Sequence, residues 1–288
     1  MAKHAIRTVG LVVKPDRAEA ITVARALTHL LHHEKRVAIS EPEVAASIGA
    51  EPLERHHLAA KADLIVVLGG DGTMLGVARL VAGRSTPILG VNLGGLGFLT
   101  EVASREAKDA LERILKGKYD VDPRMMLEAS VERGSQPEKH DETFQALNDI
   151  VVSKGPLGRM LLLEVMADNK AFCIYRADGL IVSTPTGSTA YALSAGGPIV
   201  YPTLDAILLA PICPHTLTNR PIVLPDSFEV EIRVKAPDHD TTFIVDGQES
   251  AQLGPSDSIR IRRGPYQVSL IRSEHAYFEI WRDKLHWG

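Results

Sequence analysis

The chain has 288 residues, of which 45% are hydrophobic and 24% charged, with a formal net charge of -4. This is ordinary globular composition, enough for one large or two ordinary domains. The mild acidity excludes a nucleic-acid or polyanion binder that works through bulk charge.

The first 120 or so residues alternate apolar strands with amphipathic helices. "TVGLVV" (8–13) is a buried strand. Asp16 with Glu19 three residues on reads as a capping box opening a helix, whose Ile21, Ala24, Leu27, Leu30 and Leu31 share a face. "VAIS" (37–40) is a second strand, residues 52–60 a short helix and "DLIVVLG" (63–69) a third strand. "GTMLGVARLVAG" (72–83) is helical, "PILGVN" (87–92) a strand, and "SREAKDALERILKG" (104–117) a helix opened by Ser104. Apolar strands joined through helices imply an α/β domain whose parallel sheet is covered on both faces.

Beyond residue 124 the period shortens. "LLLEVMADNKAFCIYR" (161–176) reads as a hairpin turning at Asp168-Asn169. "FEVEIRVK" (228–235) puts Phe228, Val230, Ile232 and Val234 on one face, and "SIRIRRG" (258–264) repeats the alternation. "RGSQPEKHDE" (133–142) is a polar hairpin loop. Short strands between turn signals predict an all-β, sandwich-like second domain.

Two cysteines, Cys173 and Cys213, cannot build a disulfide framework, and Cys173 in "AFCIYR" reads as a buried reduced thiol. The N-terminal "MAKHAIRTVGLVVK" holds no apolar run of signal-peptide length. No stretch approaches the roughly 18 apolar residues of a membrane span. These features predict a soluble, reducing, cytoplasmic setting with no membrane and no nucleic-acid partner.

Four segments carry candidate chemistry. "GGDGT" (69–73) ends a buried parallel strand and begins a helix, where open α/β sheets bind ligands. Gly69, Gly70, Gly72 and Thr73 would let backbone amides approach phosphate oxygens at a helix N-terminus. The loop lacks the G-K-[ST] ending of a Walker loop and is not G-x-G-x-x-G. Asp71 could take a proton, hold a divalent cation, or simply cap its own turn. "NLGGLGFLT" (92–100) is a second glycine-rich loop, adjacent to the first if the two preceding strands are neighbours. Its Phe98 either anchors the loop or stacks an adenine. "STPTGSTAYALSAGGP" (183–198) offers many hydroxyl donors for ribose and phosphate. In "ALNDIVVS" (146–153), Asn148-Asp149 interrupts an apolar strand and must either cap a turn or face a ligand. Asp178-Gly179 and Asp246-Gly247-Gln248 read as hairpin turns. His29, His32 and His33, and His56-His57, read as solvated faces, since nothing completes a metal-ligand set. "CPH" (213–215) is equally unconvincing as a metal site.

Taken in order, "GGDGT", "NLGGLGF", "LND" (147–149) and "TPTGSTAYALSAGGP" (184–198) resemble the NAD kinase family, especially its Gram-negative bacterial members, over nearly the whole chain. "GGDGT" alone is shared in some form with phosphofructokinases and lipid kinases, but with "TPTGSTAY" downstream the pattern is specific. The resemblance implies transfer of the ATP γ-phosphoryl group to the 2′-hydroxyl of the adenosine ribose of NAD, with a divalent cation (Mg or Mn). It implies that Asp71 is the catalytic aspartate and Gly72 its loop partner, and that Asn148 and Asp149 hold the adenosine ribose. Many relatives carry Glu at the second of these positions, so the shorter Asp149 implies a longer or water-mediated contact. Thr189, Ala190, Tyr191, Ala192, Leu193 and Ser194 match adenine- and nicotinamide-side contacts. Asp178 matches an acidic residue near the nicotinamide amide, Arg176 one that marks preference for NAD over NADH, and Arg159 and Gln248 further contacts. It further implies a homodimer or homotetramer with sites completed across subunits. The C-terminal strand "FEIWRDKL" (278–285) resembles a segment returning to the first domain. The expected division is therefore 1–124 with about 274–288, a nucleotide-binding domain, and 125–273, an NAD-binding and oligomerisation domain.

Phosphoryl transfer needs positioning and charge stabilisation above all. Asp71 suffices as proton acceptor if the proton leaves late, after bonding to phosphorus has begun. The alternatives are a lipid or sugar kinase sharing the loop, or a non-catalytic dinucleotide sensor.

Overall fold

The computed structural model describes residues 5–94, 97–134, 142–156, 158–216, 218–235, 241–254, 257–273 and 277–287. The chain divides into two compact units, Met1–Pro123 with Val268–Gly288, and Arg124–Gln267.

The first unit runs β1 (Thr8–Val13), α1 (Ala18–His33), β2 (Val37–Ser40), α2 (Pro42–Ile48), β3 (Glu51–Pro52), α3 (Arg55–Lys61), β4 (Leu64–Gly69), α4 (Asp71–Val81), β5 (Ile88–Asn92), β6 (Val102–Ala103) and α5 (Ala107–Leu115). The strands pair in parallel in the order β3-β2-β1-β4-β5. The chain runs outward from β1 to β3, then returns to β4. That switch point, between β1 and β4, is where a doubly wound sheet opens a crevice at its carboxyl edge. Val9, Leu11 and Val13 of β1, with Leu64, Val66 and Leu68 of β4, pack against Leu27 and Leu31 of α1 and Leu111 and Ile114 of α5. Successive strand residues face opposite sides, so Ile65 and Val67 lie under the other helices, and every residue of β4 is buried.

Several local expectations change. Arg17, not Asp16, precedes the first helical residue, and no side chain caps the helix. The Asp16 carboxylate instead lies 3.8 Å from Lys14 Nζ. Helix α2, with Pro42 at its start, was not anticipated, although proline is favoured at the first helical position. Ser104 opens a 3-10 turn (Ser104–Glu106) without a side-chain cap. "FEIWRDKL" is not a strand: it lies in a helix, Tyr277–Leu285. Tyr277, Ile280 and Trp281 are its buried residues. Their i, i+3, i+4 spacing makes one helical face, which no strand could bury together. The Tyr277 hydroxyl donates to the buried Asp122 carboxylate, and Ser273 bonds Glu101 through both its N–H and its hydroxyl.

The second unit holds β7 (Val121–Glu132, from Arg124 on), β8 (Glu142–Ala146), β9 (Asp149–Ser153), β10 (Leu161–Ala167), β11 (Lys170–Ala177), β12 (Gly179–Ser183), α6 (Tyr191–Ser194), β13 (Ala206–Ile212), β14 (Ile222–Pro225), β15 (Val230–Val234), β16 (Thr242–Val245), β17 (Glu249–Gln252) and most of β18 (Ser258–Ile271). One antiparallel sheet has the order β14-β13-β12-β9-β16-β17. The other includes β11, β10, β15 and β18, with β7 and β8 alongside. Ile150, Val152, Leu180, Val182, Phe243 and Val245 of the first sheet share one core with Leu163, Val165, Ile232, Ile259 and Ile261 of the second. This is the expected sandwich. The Asp168-Asn169 hairpin also forms, with φ of 49° and 59°. The polar loop joins antiparallel partners β7 and β8, but its residues 135–141 lie outside the described ones.

Two further readings are corrected. Asp178-Gly179 is not a hairpin, because β11 and β12 belong to different sheets; it is the corner where the chain changes layer. Cys173 is half-exposed, not buried, because β11 is an edge strand that also exposes Phe172 and Ile174.

Candidate functional site

The first unit supplies a carboxylate held by a loop. Asn92 at the end of β5 pairs in register with Gly69 at the end of β4, so the two glycine-rich loops leave neighbouring strands as expected. Asp71 is the first residue of α4, where a negative charge is favoured. Its Oδ1 accepts the N–H of Leu99 (3.1 Å), the N–H of Thr100 (3.1 Å) and the Thr100 hydroxyl (3.0 Å). Among the described residues, its Oδ2 accepts only the N–H of Phe98, at 3.0 Å. A carboxylate oxygen has about two lone-pair positions, so Oδ1 is saturated while Oδ2 keeps room for one more donor.

Asn92 fixes the same loop from the strand side. Its Nδ2 donates to Thr100 Oγ1 at 2.7 Å, and its Oδ1 accepts the Gly94 N–H at 2.7 Å. Gly97 must be glycine here, since a Cβ would collide with Asp71 Oδ1 and Thr100 Oγ1. A Cβ on Gly70, by contrast, would meet nothing within 4 Å, which leaves open space beside the helix start. Not every amide assigned to phosphate is available: the Thr73 N–H bonds Gly70 O at 3.0 Å. Phe98 is half-buried and Gly72 exposed. Gly95 and Leu96 of the second loop lie outside the described residues. Asn92 and Thr100 were missed as site-forming residues; their signal is that they are the polar ends of an otherwise apolar and glycine-rich loop.

The second unit supplies a pinned backbone segment beside a cavity. The carboxylate of Asp246, in the turn after β16, accepts three consecutive amides: Leu147 N–H at 3.1 Å, Asn148 N–H at 2.8 Å and Asp149 N–H at 3.2 Å. The carbonyls of the same segment are held from the other side. Thr184 donates its hydroxyl to Leu147 O at 2.6 Å, and Asn148 O accepts the Ser183 hydroxyl at 3.1 Å and the Thr184 N–H at 2.9 Å. A Cβ on Gly187 would collide with Asn148 O.

This alters the reading of the hydroxyl-rich stretch. Ser183, Thr184, Thr186 and Ser188 are buried, and their hydroxyls are used by the fold. Ser188 Oγ bonds Pro185 O and the backbone of Val200, and Thr189 Oγ1 bonds Thr186 O. Thr186 Oγ1 also accepts a bond from the buried Arg124 at 3.2 Å. Burying so many hydroxyls requires partners, and the segment provides them internally. It is a scaffold more than a bank of ligand donors.

A cavity of about 370 Å³ is lined by Asn148, Asp149, Val151, Ser153, Ala190, Tyr191, Ile244, Asp246 and Gly247. Tyr191 is 47% exposed. Of the other residues expected at the site, Ala192 is fully buried in a cluster with Ile181, Leu208 and Ala210. Thr189 and Leu193 are partly buried, and Arg159, Arg176, Ser194 and Gln248 are exposed. Asp178 pairs with Lys154 Nζ at 2.9 Å. None of these eight lines the cavity. The missed lining residues Val151 and Ser153 had a signal: they alternate with Asp149 along β9, so the expected Asp149 implied the face they share.

Asp149 is 5% exposed. Burial, and then the neighbouring charge of Asp246, push its pKa up to about 7. A larger cavity, about 930 Å³, lies in the first unit beside α5, and none of the expected site residues lines it. His29, His32, His33, His56 and His57 are exposed. Among the described residues, no three His, Cys, Asp or Glu side chains could jointly hold a metal ion. No helix among them is long and apolar enough to cross a membrane.

Residues 9–119 match the model of the ATP-NAD kinase N-terminal domain and residues 147–273 that of the ATP-NAD kinase C-terminal domain. The chain is 48% identical to the NAD kinase of Geobacter metallireducens over 286 residues, covering 98% of this chain and 99% of the relative. It is 44% identical to that of Geotalea daltonii over 285 residues, with the same coverage. Among solved structures, the yeast NADH kinase complexed with NADH superposes with a TM-score of 0.91 at 26% identity, covering 99% of this chain and 88% of that one. An NAD kinase from Archaeoglobus fulgidus in complex with ATP shares the fold, with a TM-score of 0.78 at 24% identity over 98% of this chain and 100% of that one.

Proposed function

The chain belongs to the ATP-NAD kinase family, and on that premise we propose how its residues divide the work of making NADP from NAD and ATP. The family match does not favour the lipid-kinase, sugar-kinase or sensor alternatives. Asp71 is the proton acceptor. The O2′ of the adenosine ribose attacks the γ-phosphorus of ATP, the bond from that phosphorus to the β-γ bridging oxygen breaks, and ADP leaves. The 2′-hydroxyl proton passes to Asp71 Oδ2. The observation that carries this role is the asymmetry of the carboxylate, with three donors on Oδ1 and one on Oδ2. Its donors are also not those of its own turn: all four come from Phe98, Leu99 and Thr100 of the second loop.

The first unit acts as the nucleotide-binding domain, with Gly69, Gly70 and Gly72 leaving room for the donor phosphates. The second acts as the NAD-binding and oligomerisation domain. Asn148 and Asp149 hold the adenosine ribose, and Ala190 and Tyr191 cover the base. Thr189, Leu193, Ser194, Asp178, Arg159, Gln248 and Arg176 are assigned to more distant parts of the dinucleotide, or to contacts completed in a homodimer or homotetramer. Phe98 is assigned to a base, and Ala192 acts only by shaping the segment. With no three-ligand cluster among the described residues, a Mg or Mn ion would be held mainly by the triphosphate and retained waters and would offset its charge. The enzyme works in the cytoplasm.

A coupled assay for NADP formation, run with ATP or polyphosphate as donor and NAD or NADH as acceptor, tests this reading. NADP formation from ATP and NAD is expected. Its absence with every donor, in a folded and NAD-binding protein, would leave the sensor.

A further inference from the structure

The best-determined side chain at the 370 Å³ cavity is one that sequence reasoning left as hairpin chemistry. Asp246 has φ of 49° and is followed by Gly247 at 65°, the pair of positive values that a type I′ turn requires; the turn is closed by the Gln248 N–H on Val245 O at 2.9 Å, within the three-residue loop between β16 and β17. Aspartate tolerates this conformation better than most residues. A turn alone would also accept asparagine or glycine. What the turn does not explain is where the carboxylate points.

It points at three consecutive amides of the Leu147–Asp149 segment. The backbone tie runs both ways, because Asp246 N–H donates to Asp149 O at 2.9 Å. Ionised oxygens accepting backbone N–H groups make the stronger class of hydrogen bond. The segment so held is the one that carries Asn148 and Asp149 to the cavity. We infer that Asp246 is a positioning residue for NAD: its carboxylate fixes the bend that presents Asn148 and Asp149, and its charge couples NAD binding to release of a proton from Asp149. This rests on the NAD kinase reading for the identity of the ligand, though not for the geometry.

The coupling follows from what surrounds Asp149. The turn after β16 brings Asp246, α6 brings Tyr191, and β12 brings Ser183, opposite Asp149 in register. The Thr186 turn brings Arg124, occupied with the Thr186 hydroxyl. With its burial and the nearby negative charge, Asp149 is half-protonated near pH 7 in the free protein. Ribose hydroxyls donate best to an ionised carboxylate. NAD therefore selects the deprotonated form, and its apparent affinity weakens about tenfold for each pH unit below about 7.

Two variants of the full chain test this by three readouts: the carboxyl titration of Asp149 by carbon-13 NMR, amide hydrogen exchange at residues 147–149, and KM for NAD with kcat across pH. In Asp246→Asn the Asp149 midpoint is expected to fall while remaining above the ordinary carboxylate range, since burial persists. Exchange at 147–149 accelerates, and the rise in KM moves to lower pH. In Asp149→Asn, which leaves the Asp246 bonds in place, exchange at 147–149 stays slow and KM no longer responds to pH near neutrality. An unchanged Asp149 midpoint with unchanged exchange in Asp246→Asn would overturn the inference. So would a pH response of KM that persists in Asp149→Asn, a result that stands even if Asp246→Asn fails to fold. If the wild type forms no NADP, the kinase reading fails, and the first two readouts still decide the role of Asp246.

Discussion

Asp71 and Thr100 are joined twice: one oxygen of the Asp71 carboxylate accepts both the backbone N–H and the hydroxyl of Thr100, at 3.1 and 3.0 Å. The residue that opens α4 therefore also closes the loop that follows β5. Any change at Asp71 acts on two things at once, the proposed proton acceptor and the order of that loop.

Asp71→Asn should separate the two. Asparagine keeps one acceptor oxygen but turns an NH2 group toward loop groups that are themselves donors. NADP formation should fall by about 10²–10⁴-fold, the usual worth of a general base. NAD affinity measured by calorimetry should stay within a few-fold, and stability should drop by about 1–3 kcal/mol from mismatched donors. Near-normal turnover would remove Asp71 from the chemistry.

Thr100→Val keeps the shape of a fully buried side chain but deletes the hydroxyl between Asn92 and Asp71. The Asn92 amide loses its partner, at a cost of about 1–3 kcal/mol. We expect kcat to fall with little change in KM for NAD, and Thr100→Ser to restore most of both losses. A variant with wild-type kcat and stability would show that the loop needs no such tie.

Stability should depend on pH through Asp149. Its folded pKa, about 7, lies above the ordinary 3.8. The folded state therefore binds this proton more tightly than the unfolded state. The contribution is complete below about pH 3.8 and is lost as pH rises through about 7. Urea unfolding of the free protein at several pH values should show this loss, with a slope of up to about 1.4 kcal/mol per pH unit from this one group. Asp149→Asn should remove that part of the slope and no other.

Tyr277→Phe should loosen the C-terminal helix. The tyrosine hydroxyl donates to Asp122, whose side chain is buried. Losing a donor to a buried carboxylate should cost about 1–3 kcal/mol. Limited proteolysis should then cut near the C-terminus faster than in the wild type, with no change in the products of the assay. Equal protection would mean that contacts other than the Tyr277 hydroxyl bond, such as packing of Ile280 and Trp281, hold the helix.

Much of this was legible in residue order. Period-3.6 and period-2 patterns separated the α/β part from the β part, because burial of one face leaves its spacing in the chain. The "GGDGT" stretch was locatable because only glycines and an acid interrupt a fully apolar strand at its end. The spacing of Tyr277, Ile280 and Trp281 was equally present. It was read as a strand because in "FEIWRDKL" the aromatic and β-branched residues outweigh a single helical turn of pattern. Asp178 was mistaken for a hairpin because turn residues look the same whether the next strand stays in its sheet or changes layer.

What only the tertiary structure decided is where each polar group spends its hydrogen bonds. Sequence alone marked Asp71, Asn148, Asp149 and the hydroxyl-rich segment as unusual, since each places polar atoms where apolar ones would be expected. It could not show that the hydroxyls of Ser183, Thr184 and Ser188 are consumed by carbonyls. Nor could it show that Asp246, 97 residues after Asp149, holds the amides around it. Hydrogen-bond partners are fixed by folded distance and direction, and two residues far apart in the chain carry no local pattern that joins them. The same bonds that exhaust one hydroxyl or saturate one carboxylate oxygen leave another with an acceptor position to spare, and that remainder is what a substrate can use.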